Sequence, residues 1–207
     1  PWELIRSRQK KKYEVKTILP PNIEKFPWAG RLGTVLVKEV LAVVNASQTT
    51  LIFTNTRAQC ELWYQALLGQ DPELAGLLGM HHSAVDRSMR EWVEEALHEA
   101  KLKVVVCTSS LDLGVDFRPV ETIIQVGSPM GVARFLQRAG RSGHQPGATS
   151  VIHLVPTHAL ELVDAAALQQ AVRDQRIESR QPYRRAFDVL VQYLVTLSVS
   201  GGFYPAT

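Results

Sequence analysis

Only two cysteines, Cys60 and Cys107, occur in the 207 residues. Neither has a partner at metal-ligand spacing, so a zinc ribbon is excluded. Cys60 falls in a helical pattern and Cys107 ends an apolar run, and both read as buried, reduced thiols. No run of eighteen apolar residues exists, which argues against a membrane-spanning helix. No signal peptide is recognisable, so no membrane partner is expected and a cytosolic location follows by default. There is no G-x-x-x-x-G-K-[ST] stretch and no Asp-Glu pair suited to magnesium. The chain therefore lacks the parts to cradle a nucleoside triphosphate alone. No serine sits in G-x-S-x-G, which speaks against a stand-alone α/β enzyme. Adjacent His81 and His82 point opposite ways on an extended segment, and no Cys or Asp stands at ligand spacing from them, so no metal site is expected. Large net charge is also absent. The formal value is +3, although the sequence pI is about 9.0. A histone-like binder is excluded, and any polyanion contact must come from local patches.

What is present is a core and a regular alternation. Hydrophobic residues make up 45% of the chain, enough for a large folded domain. Arg6, Arg8, Lys10, Lys11 and Lys12 open the chain as a solvated linker or as backbone contacts to nucleic acid. A strand-like alternation follows from Tyr13 to Ile18, broken by Pro20 and Pro21. Helical spacing runs from Leu32 to Val44, with Leu36, Val40, Val43 and Val44 on one side. Thr50–Thr54 is a short apolar strand. Arg57–Leu68 reads as a helix with Leu62, Ala66 and Leu67 inside. Leu77–His81 is a weaker strand. Asp86 caps a helix reaching Glu99, on which Trp92, Ala96 and Ala100 share a face. Lys103–Cys107 and Val120–Val126 are buried strands, Val132–Arg141 a helix, Ser150–Val155 a strand and Leu160–Val172 a helix.

Strands alternating with helices predict a three-layer α/β fold, a parallel sheet flanked by helices. Residues 1–30 read as a linker and leading strand, and 31–178 as the α/β domain. Pro182 marks a boundary. Beyond it Phe187, Leu190, Val191, Leu194 and Leu197 form one helical stripe, ended by Gly201 and Gly202. That makes 179–207 the start of a further module.

Right-handed crossovers put the strand C-terminal ends on one edge, where ligands bind in such folds. Three polar clusters fall there. Thr56 and Arg57 open a helix and either cap it or grip a phosphate at its N-terminus. His82 and Ser83 follow the third strand, as backbone contacts or as satisfied strand-end groups. Thr108 and Ser109 offer hydroxyls and backbone donors to a phosphate of a nucleic-acid backbone. Further along, Asp116 can accept from a ribose hydroxyl; the alternative is an ordinary capped turn with Asp112 solvated, and Gly140 and Gly143 permit close backbone approach. Gln137-Arg138-Ala139-Gly140-Arg141-Ser142-Gly143-His144 carries the strongest signal. Two guanidinium groups three residues apart suit a triphosphate, because the planar donors fork onto phosphate oxygens and the charge never titrates away. Of the four tryptophans, Trp2 and Trp28 could stack on bases, while Trp63 and Trp92 suit core or partner packing.

These stretches resemble the second RecA-like lobe of Lhr-type (large helicase-related) superfamily 2 helicases, most of all the ligase-associated bacterial subgroup. Leu51 to Arg57 looks like the family's fourth motif, Leu111 to Glu121 its fifth, and Gln137 to His144 its sixth. Pro156 to Leu162 also has the family's look. The general pattern of the sixth motif ends in arginine where this chain has His144, which makes Arg141 the main finger candidate with Arg138 supporting. The resemblance implies catalytic roles for Arg141, Arg138 and Gln137. It implies nucleotide contacts from Gly114, Asp116 and His144. Thr56, Arg57, His82, Ser83, Thr108 and Ser109 would hold nucleic acid. It further implies ATP and Mg2+ as cofactors of the full-length protein, with neither expected in this fragment alone. Implied partners are a first RecA-like lobe in cis, single-stranded DNA or a tailed duplex, and DNA ligase and nuclease repair proteins. The residues past Pro182 would begin a winged helix. Movement 3′-to-5′ and a role in DNA repair are implied in the same way. An RNA helicase lobe and a non-hydrolysing nucleic-acid-binding module are the rival readings.

Overall fold

The structure is a computed structural model that describes residues 11–20, 22, 33–112, 120–143, 149–178, 183–202 and 204. Its centre is a sheet of six strands: β1 (Lys12–Thr17), β2 (Thr50–Phe53), β3 (Leu78–His81), β4 (Val104–Cys107), β5 (Thr122–Val126) and β6 (Thr149–Val155). Their order is β1-β6-β5-β2-β4-β3, and every pairing is parallel. Five helices flank the sheet: α1 (Val37–Asn45), α2 (Arg57–Gln70), α3 (Arg87–His98), α4 (Val132–Ala139) and α5 (Leu160–Arg173). This is the three-layer α/β fold read from the alternation.

The burial of each strand follows from its place. Every residue of β2, β4 and β5 is buried, because helices cover both faces of a parallel sheet and leave no polar side. β1 is an edge strand and alternates instead, with Lys12, Glu14 and Lys16 exposed. Two lysines on an exposed edge also discourage pairing with another chain. Side chains of one parity (Leu51, Phe53, Val105, Cys107, Ile123) pack with Val93, Leu97, Phe135 and Leu168 from α3, α4 and α5. Those of the other parity (Ile52, Val104, Val106, Ile124) pack with Val40, Val44, Trp63 and Leu67 from α1 and α2.

Two expected helix stripes are rotated. In α2 the buried residues are Gln59, Cys60, Trp63 and Leu67, while Leu62 is exposed. In α3 they are Val93, Ala96 and Leu97. Trp92, expected in a packed stripe, is 50% exposed, and Ala100 lies beyond the helix end with φ +58°. Trp63 is fully buried, and both cysteines are free and buried.

The chain divides into two compact units, Pro1–Ile177 and Glu178–Thr207. The second contains α6 (Phe187–Ser200), none of whose residues is buried. Among the described residues no helix is long and apolar enough to cross a membrane.

Candidate functional site

The ends of β2, β4 and β3 lie side by side and level. Phe53 pairs with Cys107, and Cys107 with His81. The next residues stay in register, with Thr54 N–H bonding to the Cys107 carbonyl and Thr108 N–H to that of His81. The three polar clusters expected from sequence therefore share one edge.

Thr56 caps α2. Its hydroxyl oxygen accepts from Gln59 N–H at 3.1 Å, while Gln59 Oε1 accepts from Asn55 N–H at 3.0 Å. This reciprocal pair satisfies donors that a helix start leaves open. Arg57, on the first turn, is exposed. Thr108 is half-buried at the end of β4, and exposed Ser109 opens a 3-10 turn to Leu111. Ser83 is exposed, but His82 is buried. The Nδ1 atom of His82 accepts from Ala84 N–H at 3.2 Å, shaping the turn that presents Ser83. Its Nε2 lies 3.4 Å from Glu61 Oε1, close enough for an ion pair yet without hydrogen-bond geometry. His81 is also buried. Its Nδ1 meets Ser110 Oγ at 2.7 Å and its Nε2 meets Glu94 Oε1 at 2.9 Å, tying β3 to the 3-10 turn and to α3. Burial lowers the His81 pKa, against the upward pull of Glu94.

The chain leaves β5 towards β6 and β2 towards β3, so the topological switch lies between β5 and β2. Asn55 bridges it. Its Nδ2 donates to the Ser128 carbonyl at 2.9 Å, and its Oδ1 accepts from Gln125 at 3.4 Å. Beneath the bridge lies Arg138, which is 2% exposed. Its Nε donates to Asp112 Oδ1 at 2.7 Å, its Nη2 to Asp112 Oδ2 at 3.2 Å and its Nη1 to Gln125 Oε1 at 2.5 Å. The guanidinium also lies over the Phe53 ring, 4.7 Å from its centre. Arg138 belongs to the buried stripe of α4 with Phe135 and Ala139. A buried cation there requires a carboxylate, and Asp112 supplies it.

Asp112 is the residue that sequence reasoning overlooked. Solvated only in the capped-turn alternative, it is in fact 6% exposed and meets three arginines. Arg134 Nε lies 3.6 Å from Oδ2, Arg138 makes the fork just described, and Arg141 Nη2 donates to the Asp112 backbone carbonyl at 2.8 Å. The signal was available: Arg134, Arg138 and Arg141 recur at helical spacing on one face. Arg141 also accepts at its own carbonyl from Val120 N–H at 3.3 Å. It therefore contacts both Asp112 and Val120. Gly143 follows in the left-handed region at φ +64°, where a Cβ would stand 3.0 Å from the Thr149 carbonyl oxygen. Gln137 is exposed. With Lys12, Tyr13 and Thr149 it lines an open groove of about 1110 Å³ beside β1. Gly114, Asp116 and His144 lie outside the described residues, as do Trp2 and Trp28. In the Pro156–Leu162 stretch, Glu161 accepts from Thr157 N–H at 2.6 Å, from the Thr157 hydroxyl at 2.8 Å and from Ser128 N–H at 3.0 Å. This makes the stretch an anchor for the loops after β5 and β6.

The parallel sheet with helices on both faces defines a RecA-like lobe. The helicase conserved C-terminal domain matches residues 34–145, and the winged helix domain of large helicase-related protein matches residues 170–207. The chain belongs to the helicase C-terminal domain family and is the C-terminal lobe of an Lhr-type superfamily 2 helicase. It is 33% identical over 91% of its length to ATP-dependent helicase Lhr-Core protein 2 of Thermococcus barophilus, covering 22% of that protein. It is 32% identical over 96% of its length to ATP-dependent helicase Lhr-Core of Saccharolobus solfataricus, covering 23% of it. Among solved structures, Mycobacterium smegmatis helicase Lhr bound to ssDNA and AMP-PNP superimposes with a TM-score of 0.83 at 30% identity, covering 92% of this chain and 25% of that one. The chain thus spans under a quarter of the length of these relatives.

Proposed function

We propose that this chain is the second motor lobe of an ATP-dependent DNA helicase and lends Arg141 to a triphosphate held by a first lobe. The observation that carries the reading is the fixing of Arg141. Its carbonyl is bonded to Val120 and its guanidinium to the Asp112 carbonyl, beside the edge where Thr108 ends its strand. A half-buried guanidinium held there can exchange a neutral carbonyl acceptor for a phosphate oxygen, and an arginine so placed raises phosphoryl-transfer rates by several orders of magnitude. Arg138 has a different part. Bound to Asp112 and Gln125, it sets the position of α4 rather than reaching outward. Asp116 would meet the ribose, while His144 and Gly114 complete the nucleotide side. Thr56, Arg57, Ser83, Thr108 and Ser109 would grip successive phosphates of the tracking strand, with His82 shaping the turn beneath Ser83. The DNA and AMP-PNP in the mycobacterial Lhr structure support this assignment of ligands. Closure on ATP and reopening after hydrolysis would move the grip along the strand.

ATP is the substrate of this reading, and the arginines suit it. Among the described residues no group of three His, Cys, Asp or Glu side chains could hold a metal ion. In this reading magnesium would be held by the first lobe. DNA over RNA, 3′-to-5′ movement, a repair role and ligase or nuclease partners are parts of the same proposal, supported by resemblance to Lhr proteins.

The test is Arg141→Ala in the intact helicase. Nucleic-acid-stimulated hydrolysis should fall at least a hundredfold, on the scale of arginine fingers, while ATP binding changes little. Hydrolysis at the unaltered rate would remove Arg141 from the role.

A further inference from the structure

Lys11 immediately precedes β1, yet its ammonium group is spent on a segment about 130 residues away. Nζ donates to the Gly140 carbonyl at 3.0 Å and to the Ser142 carbonyl at 2.8 Å. These carbonyls flank Arg141. The carbonyl between them points the other way, to Val120 N–H. The Ser142 carbonyl also receives the Ser150 hydroxyl at 2.7 Å. Arg141 N–H bonds to the Arg138 carbonyl, and Ser142 N–H to that of Ala139. Every backbone polar group around Arg141 is thus engaged, and the strand-leading lysine supplies two of the bonds. Carbonyls at the end of α4 are partly negative, which suits an ammonium. A charged donor bridging two acceptors is stronger than a neutral one.

We propose that Lys11 is a positioning residue for Arg141, a strut by which the segment entering β1 sets the placement of the arginine. This rests on the reading of Arg141 as the triphosphate contact and adds a coupling to it. A shift of the chain ahead of β1 is conveyed to the Arg141 peptide through one side chain. Methionine at position 11 keeps the length and loses both bonds. Arginine keeps the charge and two donors.

The experiment is a mutant cycle in the intact helicase, with Lys11→Met, Lys11→Arg, Arg141→Lys and the Lys11→Met/Arg141→Lys double variant. The readouts are kcat and KM for ATP at saturating nucleic acid, and hydrogen exchange of peptides spanning residues 139–143. Lys11→Met should lower kcat about tenfold with KM changed less than twofold, and Lys11→Arg should recover most of it. Exchange in 139–143 should quicken while that of β2 and β4 holds. Added to Arg141→Lys, Lys11→Met should cost less than a further twofold, because groups acting as a unit are not additive. An equal loss from Lys11→Met in both backgrounds, unchanged kcat or unchanged exchange would each overturn the strut. Arg141→Lys at the unaltered rate would instead overturn the triphosphate role of Arg141, and the strut with it.

Discussion

Asp112 and Arg138 make opposite demands on a mutant series from Arg141. Among the described residues, removing Asp112 leaves a buried guanidinium with the Gln125 oxygen and the Phe53 ring but no carboxylate bonded to it. We predict that Asp112→Ala destabilises the lobe by about 3–5 kcal/mol, and that thermal unfolding drops by roughly 10 °C. Arg141→Ala should shift the melting temperature far less and act on hydrolysis. Equal melting shifts for the two would contradict the division of labour. Thr56→Ala tests the cap alone, with an expected loss of about 1 kcal/mol in a denaturant midpoint. Burial pushes the Cys60 thiol up to about 12 and the Cys107 thiol upward as well. A thiol reagent should therefore label neither in the folded chain at neutral pH, and rapid labelling would refute the packing. At this scale the sequence placed Thr56 at the start of α2 and Thr108 at the end of β4, where the structure has them. It did not show that Arg138 turns inward, because a guanidinium in a basic motif reads the same whether it faces phosphate or a hidden carboxylate.

Helix α3 and strand β3 are joined through His81, and their union is sensitive to acid. Burial is the main cause holding the His81 pKa below its ordinary value of 6.5, with Arg90 adding to it and Glu94 opposing. In the window between the folded value and 6.5 the unfolded chain binds more protons at this imidazole. Stability therefore rises with pH through that window and is lost on acidification below 6.5. His153 on β6 is lowered by the same cause. Melting curves from pH 7.5 to 5.5 should show a falling stability, and His81→Gln should flatten part of that slope while His153 keeps the rest. An unchanged slope would refute the His81 contribution. The elements were legible because fully buried four-residue strands and capped helices leave strong patterns. β2 and β4 were found within a residue, and the Asp86 cap is observed, accepting from Ser88 N–H at 2.9 Å. The inner faces of α2 and α3 were less legible. Each carries more apolar side chains than its contact with the sheet can cover. Periodicity gives the angle between residues but not which of two apolar rows the sheet selects, and Val93 rather than Trp92 was the row chosen.

As a whole, the molecule would be half of a nucleotide site if the proposed function holds. In the proposed reading it would supply arginines and a strand-gripping edge, and its sequence contains no G-x-x-x-x-G-K-[ST] run. Purified alone, it should show no nucleic-acid-stimulated ATP turnover, and robust turnover would sink the two-lobe reading. Any weak nucleic-acid binding by the fragment should fall steeply with salt, as phosphate contacts require. The placement of β1 bears on how such a lobe is handled by its neighbours. β1 is the outermost strand, joined to β6 through six parallel pairings from Lys12↔Thr149 to Thr17↔Leu154. A tug on the backbone ahead of Lys12, directed along the strand, loads those pairings together in shear instead of peeling them singly. The six pairings would then resist such a pull together rather than one after another.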